Sequence, residues 1–168
     1  TAYSGDDTLD GGSGADRLNA GNGNDSASGG ADNDSIDGSA GDDTLDGGAG
    51  TDSLYGGDGD DRLIGETGND TFASDSGNDV ALGGAGDDTY RFGDAAGYDV
   101  VVDTEGANRV RFASGLRSTD VAFRTNGYDL VAALADGRRM LLRYANAAPG
   151  DFTPSRIDAF EFDDATLT

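Results

Sequence analysis

Aspartate stands at every ninth position through the first half of this chain, at Asp7, Asp16, Asp25, Asp34, Asp43, Asp52, Asp61, Asp70, Asp79 and Asp88. Most copies carry a glycine two residues before the aspartate, a glycine pair four and five before it, and an apolar residue two after it; residues 11–19, 47–55, 56–64 and 83–91 are clean copies. Such a repeat sets two kinds of oxygen, carboxylate and backbone carbonyl, at fixed spacing. That is a donor set for a hard cation: Ca²⁺ takes roughly six to eight oxygen ligands, whereas Mg²⁺ keeps waters and demands stricter geometry. The chain has no His and no Cys, so zinc, copper and iron sites of the usual kinds have no ligands.

These residues and their order resemble the G-G-x-G-x-D-x-U-x nonapeptide of RTX (haemolysin-type calcium-binding) proteins, over roughly residues 2–103. The resemblance implies an all-β fold: a right-handed parallel β-roll, that is, a calcium-binding β-solenoid. Two nonapeptides make one coil, and Ca²⁺ lies between turns eighteen residues apart. In the family pattern, carbonyls at motif positions 2 and 4 join the aspartate of one turn, and carbonyls at positions 1 and 3 join the aspartate of the next.

Carried onto this chain, the ligand set is the ten aspartates and Asp99, with backbone oxygens of Gly5, Gly12, Gly14, Gly21, Gly23, the run Gly29, Gly30, Ala31 and Asp32, the run Gly38, Ser39, Ala40 and Gly41, the run Gly47, Gly48, Ala49 and Gly50, the run Gly56, Gly57, Asp58 and Gly59, the run Gly65, Glu66, Thr67 and Gly68, and Gly83 and Ala85. An ion between Asp43 and Asp61 would meet Ser39, Gly41, Asp43, Gly56, Asp58 and Asp61. Asp7, Asp25, Asp43, Asp61 and Asp79 form one edge, and Asp16, Asp34, Asp52, Asp70 and Asp88 the other. About eight calcium ions follow from this pairing, with a further place at Asp79/Asp99.

The elements that must position these oxygens are short. Glycine adopts positive φ without steric cost, so the glycine-rich positions predict a tight turn. The apolar residue between variable ones predicts a very short strand with its middle side chain buried. Leu9, Leu18, Ala27, Ile36, Leu45, Leu54, Leu63, Phe72, Ala81 and Tyr90 are those side chains. One per repeat is a thin core against a backbone ordering cost of about 1–2 kcal/mol per residue. Residues 1–103 also carry 23 Asp and one Glu against Arg17, Arg62 and Arg91, a net of −21 within a total of −22. Such charge density predicts a disordered, self-repelling segment unless cations neutralise it. Departures fall at Asp32 in position 4, at Ser39, Glu66 and Asp75 in position 2, and at residues 92–99, where two residues are added. The sites near Asp79 and Asp99 are expected to be least regular.

Residues 104–168 read differently. Alternating apolar runs at 109–113, 120–125, 128–134, 138–144 and 157–162, with hairpin signals at Asn126-Gly127 and Ala135-Asp136-Gly137, predict a small antiparallel β-rich C-terminal cap. Tyr90–Phe92, Gly127–Leu130 and Phe160–Thr166 resemble the flank that follows many RTX arrays. An open solenoid end needs covering. An apolar stripe of Ile64, Val80, Leu82, Val100 and Val102 on the outward face is expected to lie under this flank.

Several chemistries are excluded. The glycine-rich stretches precede no amphipathic helix and the chain has no Lys, which rules against phosphate loops. Ile36 stands where an EF-hand needs an acid or amide. Asn-Asp-Ser/Thr triplets arise from the repeat and are not read as glycosylation sites. The usual nucleophile and base constellations are missing, so no enzymatic activity is expected. Neither a nucleic-acid partner nor a membrane span is expected, and the chain reads as monomeric. Thr1 enters mid-repeat, so a fragment of a larger parent is expected. The resemblance implies type I secretion machinery as partner, a secreted or cell-surface location in a Gram-negative bacterium, and folding on calcium outside the cell. An adhesion module, or an appendage of a secreted enzyme, is the alternative.

Overall fold

The computed structural model describes residues 4–93, 95–126, 129–142 and 157–168. Among them the chain is entirely strands and turns. The coil comprises β1 (Thr8–Ser13), β2 (Arg17–Asn22), β3 (Ser26–Ala31), β4 (Ser35–Ala40), β5 (Thr44–Ala49), β6 (Ser53–Asp58), β7 (Arg62–Thr67), β8 (Thr71–Ser76), β9 (Val80–Ala85), β10 (Thr89–Phe92), β11 (Tyr98–Val102) and β12 (Asn108–Phe112). The flank adds β13 (Val121–Asn126), β14 (Asp129–Leu134), β15 (Arg139–Leu142), β16 (Ile157–Glu161) and β17 (Thr166–Leu167).

Odd strands form one sheet, β1-β3-β5-β7-β9-β11-β15-β14-β13, and even strands the other, β17-β16-β12-β10-β8-β6-β4-β2. Pairing within the coil is parallel, eighteen residues apart from β1 to β10, as in Leu45↔Leu63 and Ile36↔Leu54, and twenty apart where β11 joins β9 and β12 joins β10. The fold is a parallel β-roll, with one nonapeptide on each sheet per coil.

Strands run longer than the three residues expected. From β1 to β9 each spans motif positions 7 to 3, so positions 1 and 2 lie in the strand and only positions 4 to 6 turn. Positive φ at position 2 bends each strand into its turn: Gly12 has φ 86°, Gly48 93° and Gly57 105°. Among the described residues the non-glycine positions with positive φ are Asp32, Ser39, Glu66 and Asp75, the substitutions at positions 4 and 2.

Along each repeat, positions 6, 8 and 1 face inward, so aspartate, apolar side chain and glycine alternate inside. Ile36, Leu45, Leu54 and Leu63 are fully buried, and Phe72 stacks on Tyr90 with centroids 4.9 Å apart. Leu9 and Leu18, at the first coil, are only partly buried.

Repeat-type pairing continues past residue 103. β12 pairs in parallel with β10, β15 with β11 and β16 with β12. Antiparallel pairing begins only with β14, β13 and β17. The flank therefore closes both sheets by adding strands to their edges. Where described, it does not lie over the outward face as expected: Ile64, Val80, Leu82, Val100 and Val102 are half-buried, and β13–β15 extend their sheet edge-on. Gly127, Tyr128 and the tail of the 138–144 run lie outside the described residues.

Candidate metal centre

The two oxygens of each repeat aspartate have separate roles. Asp25 Oδ1 accepts the Asp7 N–H at 2.7 Å, and Asp34 Oδ1 accepts that of Asp16 at 2.8 Å. The same bond recurs at Asp43, Asp52, Asp61, Asp70, Asp79 and Asp88, always between 2.7 and 2.9 Å. Oδ1 thus locks one turn onto the next. Oδ2 of Asp16, Asp25, Asp34, Asp43, Asp52, Asp61, Asp70, Asp79 and Asp88 is buried and accepts no hydrogen bond. A buried carboxylate oxygen left this way costs more than a lost hydrogen bond, so the arrangement calls for a partner.

The surroundings of Oδ2 show what kind. A methyl on Gly47 would stand 2.6 Å from Asp52 Oδ2, and one on Gly29 2.8 Å from Gly47 O. A methyl on Gly38 would meet Asp43 Oδ2, with Gly56 O at 2.6 Å; one on Gly56 would meet Asp61 Oδ2, with Ser74 O at 2.9 Å. Position 1 is glycine because a carboxylate oxygen and the next turn's carbonyl converge there.

Between turns 38–43 and 56–61, Gly56 O points back toward Gly38, while Ser39 O and Gly41 O point forward to Gly57 and Gly59. Asp58 O accepts the Gly41 N–H at 2.7 Å, and Asp61 Oδ1 the Asp43 N–H at 2.9 Å. Oxygens of both turns face one gap. Among the described residues no group of three or more His, Cys, Asp or Glu gathers to hold a metal, so carbonyls must supply most donors to any ion. Such a set of few carboxylates and many carbonyls fits Ca²⁺.

A family model of the RTX calcium-binding nonapeptide repeat, in four copies, matches residues 1–27, 20–54, 28–63, 55–90 and 64–97. The chain belongs to the RTX calcium-binding repeat family. No curated protein matches it. As an RTX module it binds calcium through these repeats.

From Asp43 onward the RTX turns hold their buried carboxylates against ionisation. Burial pushes Asp61 up to about 7, against the pull of the Asp43 N–H, and the charges of Asp79 and Asp43 add to the rise. Burial likewise raises Asp70 and Asp79 to about 6 and Asp88 and Asp99 to about 7. Asp43 and Asp52 rise for the same reason. Aspartates facing one another across successive turns repel unless positive charge enters.

Two places depart from the RTX register. Asp79 N–H reaches Asp99 Oδ1 only at 3.4 Å, across twenty residues, and Ser74 puts a side chain at position 1 of the Asp79 turn. On the other edge the ladder continues where the sequence reading stopped. Asp88 N–H donates to Asn108 Oδ1 at 2.7 Å, and Asn108 N–H to Asp158 Oδ2 at 3.1 Å. Asn108-Arg109-Val110 and Asp158-Ala159-Phe160 both keep the polar-x-apolar triplet of the repeat. That triplet was the available signal, obscured by the missing glycine pair.

Proposed function

We propose that this RTX module is a calcium-triggered folding unit of a secreted bacterial protein. The supporting observation is the row of buried, unpartnered Oδ2 atoms from Asp16 to Asp88, which at Asp16, Asp34, Asp43, Asp61 and Asp70 converges with the next turn's carbonyl. About eight ions, one between each pair of stacked turns, would match that row. The ligands on this reading are the aspartates and carbonyls carried over above, including Asp99 at the least regular place. Bound calcium would supply the charge that offsets the −21 of the repeat. An ion that binds only the folded state adds RT ln(1 + [L]/Kd), about 1.4 kcal/mol per site at ten times Kd and about 11 kcal/mol for eight sites. That equals the stability of a typical domain.

At affinities of about 10⁻⁴–10⁻³ M, typical of extracellular modules, the chain would stay unfolded in a calcium-poor cytoplasm and fold outside. Folding there would bias type I export forward. The module itself is non-catalytic on this reading. Isothermal titration calorimetry of the full chain with CaCl₂ tests it. Saturable uptake of about eight ions at millimolar concentrations supports the reading, and the absence of saturable uptake contradicts it.

A further inference from the structure

The last coil contains a cryptic repeat. Gly106, with φ 78°, stacks on Gly86 as position-4 glycines do. Ala107 N–H donates to Asp87 Oδ1 at 2.8 Å, the bond made at position 5 elsewhere, as between Asp60 and Asp42 at 2.9 Å. Asn108 Oδ1 takes the Asp88 N–H as position-6 carboxylates do, and Val110 pairs with Tyr90 at position 8. Residues 103–111 are therefore a nonapeptide with three exchanged residues: aspartate stands at position 1 and threonine at position 2 in place of the glycine pair, and asparagine at position 6 in place of aspartate.

The exchange conserves charge. Two successive regular turns, such as those of Asp70 and Asp88, present one carboxylate each. At the junction the carboxylates are Asp88 and Asp103, both buried. Asp88 Oδ2 receives no N–H from a neighbouring turn, and the Asp88 and Asp103 carboxyls lie within hydrogen-bonding reach of each other. A methyl on Gly83 would stand 2.5 Å from Asp88 Oδ2 and would also meet Asp103 Oδ2 and Tyr90 Oη. In turns such as that of Gly38, this is where the next turn's carbonyl is found beside the carboxylate. Asp103 is held there: its Oδ2 accepts the Tyr90 hydroxyl at 2.5 Å and its Oδ1 the Glu105 N–H at 3.2 Å. Asn108 performs the structural part of the missing aspartate, and its Nδ2 anchors to Glu105 O at 2.6 Å.

We propose that the junction of turns 83–88 and 103–108 is an additional calcium site, with Asp88 and Asp103 as its carboxylates and Tyr90 and Asn108 as positioning residues. It rests on the reading that the regular turns hold calcium, and it extends the array into the flank.

Native mass spectrometry of the full chain in excess Ca²⁺ counts the ions. Asp103→Asn is expected to bind one fewer than the natural chain, and Asp103→Gly/Asn108→Asp, which rebuilds the repeat, to regain it. An equal count in Asp103→Asn and the natural chain overturns the junction site while leaving the regular sites standing; no bound calcium in the natural chain overturns both. Should Asp103→Asn not fold, Tb³⁺ luminescence excited through tyrosine gives a second reading. The junction predicts that Tyr90→Phe and Asp103→Gly/Asn108→Asp/Tyr90→Phe lose the same tyrosine-sensitised emission while Tyr55→Phe keeps it, and emission unchanged in Tyr90→Phe contradicts it.

Discussion

Between β3 and β7 each turn places one apolar side chain and one buried aspartate inside, whereas around Phe112 four further rings meet. Phe112 stacks on Phe162 at 4.2 Å and contacts Phe92, Phe123 and Phe160 at 5.6, 6.3 and 6.4 Å. The flank also sets Glu161 beside Arg109 and Arg111, at 3.6 and 3.9 Å. Glu161 and Asp136 of the flank are paired with arginines, whereas in the coil Asp34, Asp43, Asp61 and Asp70 converge with carbonyls. One region is held by apolar burial, the other by a backbone ladder whose carboxylates need a cation. Joining them edge to edge gives the coil a boundary packed by aromatic and aliphatic side chains.

The contrast can be broken by substitution. The largest effect is expected at Phe112→Ala, which opens the aromatic cluster and should cost about 3–5 kcal/mol, read from urea midpoints in saturating calcium. A loss below about 1 kcal/mol would mean that the cluster does not hold the flank. Gly56→Ala follows, at about 1–3 kcal/mol for overpacking. Its methyl would enter the space of Asp61 Oδ2 and Ser74 O, so calcium uptake should fall as well, and calorimetry should show fewer ions.

A pH series sharpens the comparison further. Burial raises Asp61, Asp88 and Asp99 to about 7, and Asp70 and Asp79 to about 6, from 3.8. The ion-free coil therefore binds more protons than the unfolded chain. Its stability from these groups is full below pH 3.8, the unfolded value, and is lost as pH rises through about 6 to 7. Calcium competes with those protons, so its apparent affinity should weaken on acidification from pH 7 to 5, by about tenfold per unit for each proton displaced. The smallest effect is expected at Glu66→Gly. Removing a non-glycine residue at φ 69° relieves about 1–2 kcal/mol of left-handed strain, offset by about 0.5–1 kcal/mol of glycine entropy. The urea midpoint should rise slightly.

Much of the coil was legible because a nine-residue period fixes both sheet register and inward positions at once: Asp43, Leu45 and Gly47 needed only counting. Strand length was not, because the glycine pair reads as a turn, while positive φ at Gly48 bends the chain without breaking its ladder. Asp103 and Asn108 were missed because their roles appear only when two substitutions are read together, and the pairing of β12 with β10 supplies the alignment. Among the described residues the flank joins the edge of the sheet that carries Val80 and Leu82 and not its face, because periodicity tells which face a residue takes, not where a later segment joins the sheet.

The central claim, that calcium and not apolar burial holds the coil, is tested most directly by far-UV circular dichroism of the full chain titrated with calcium from excess EDTA. Little β signal is expected with chelator, and a cooperative gain across about 10⁻⁴–10⁻³ M calcium. A full β signal in EDTA, unchanged by added calcium, would contradict it.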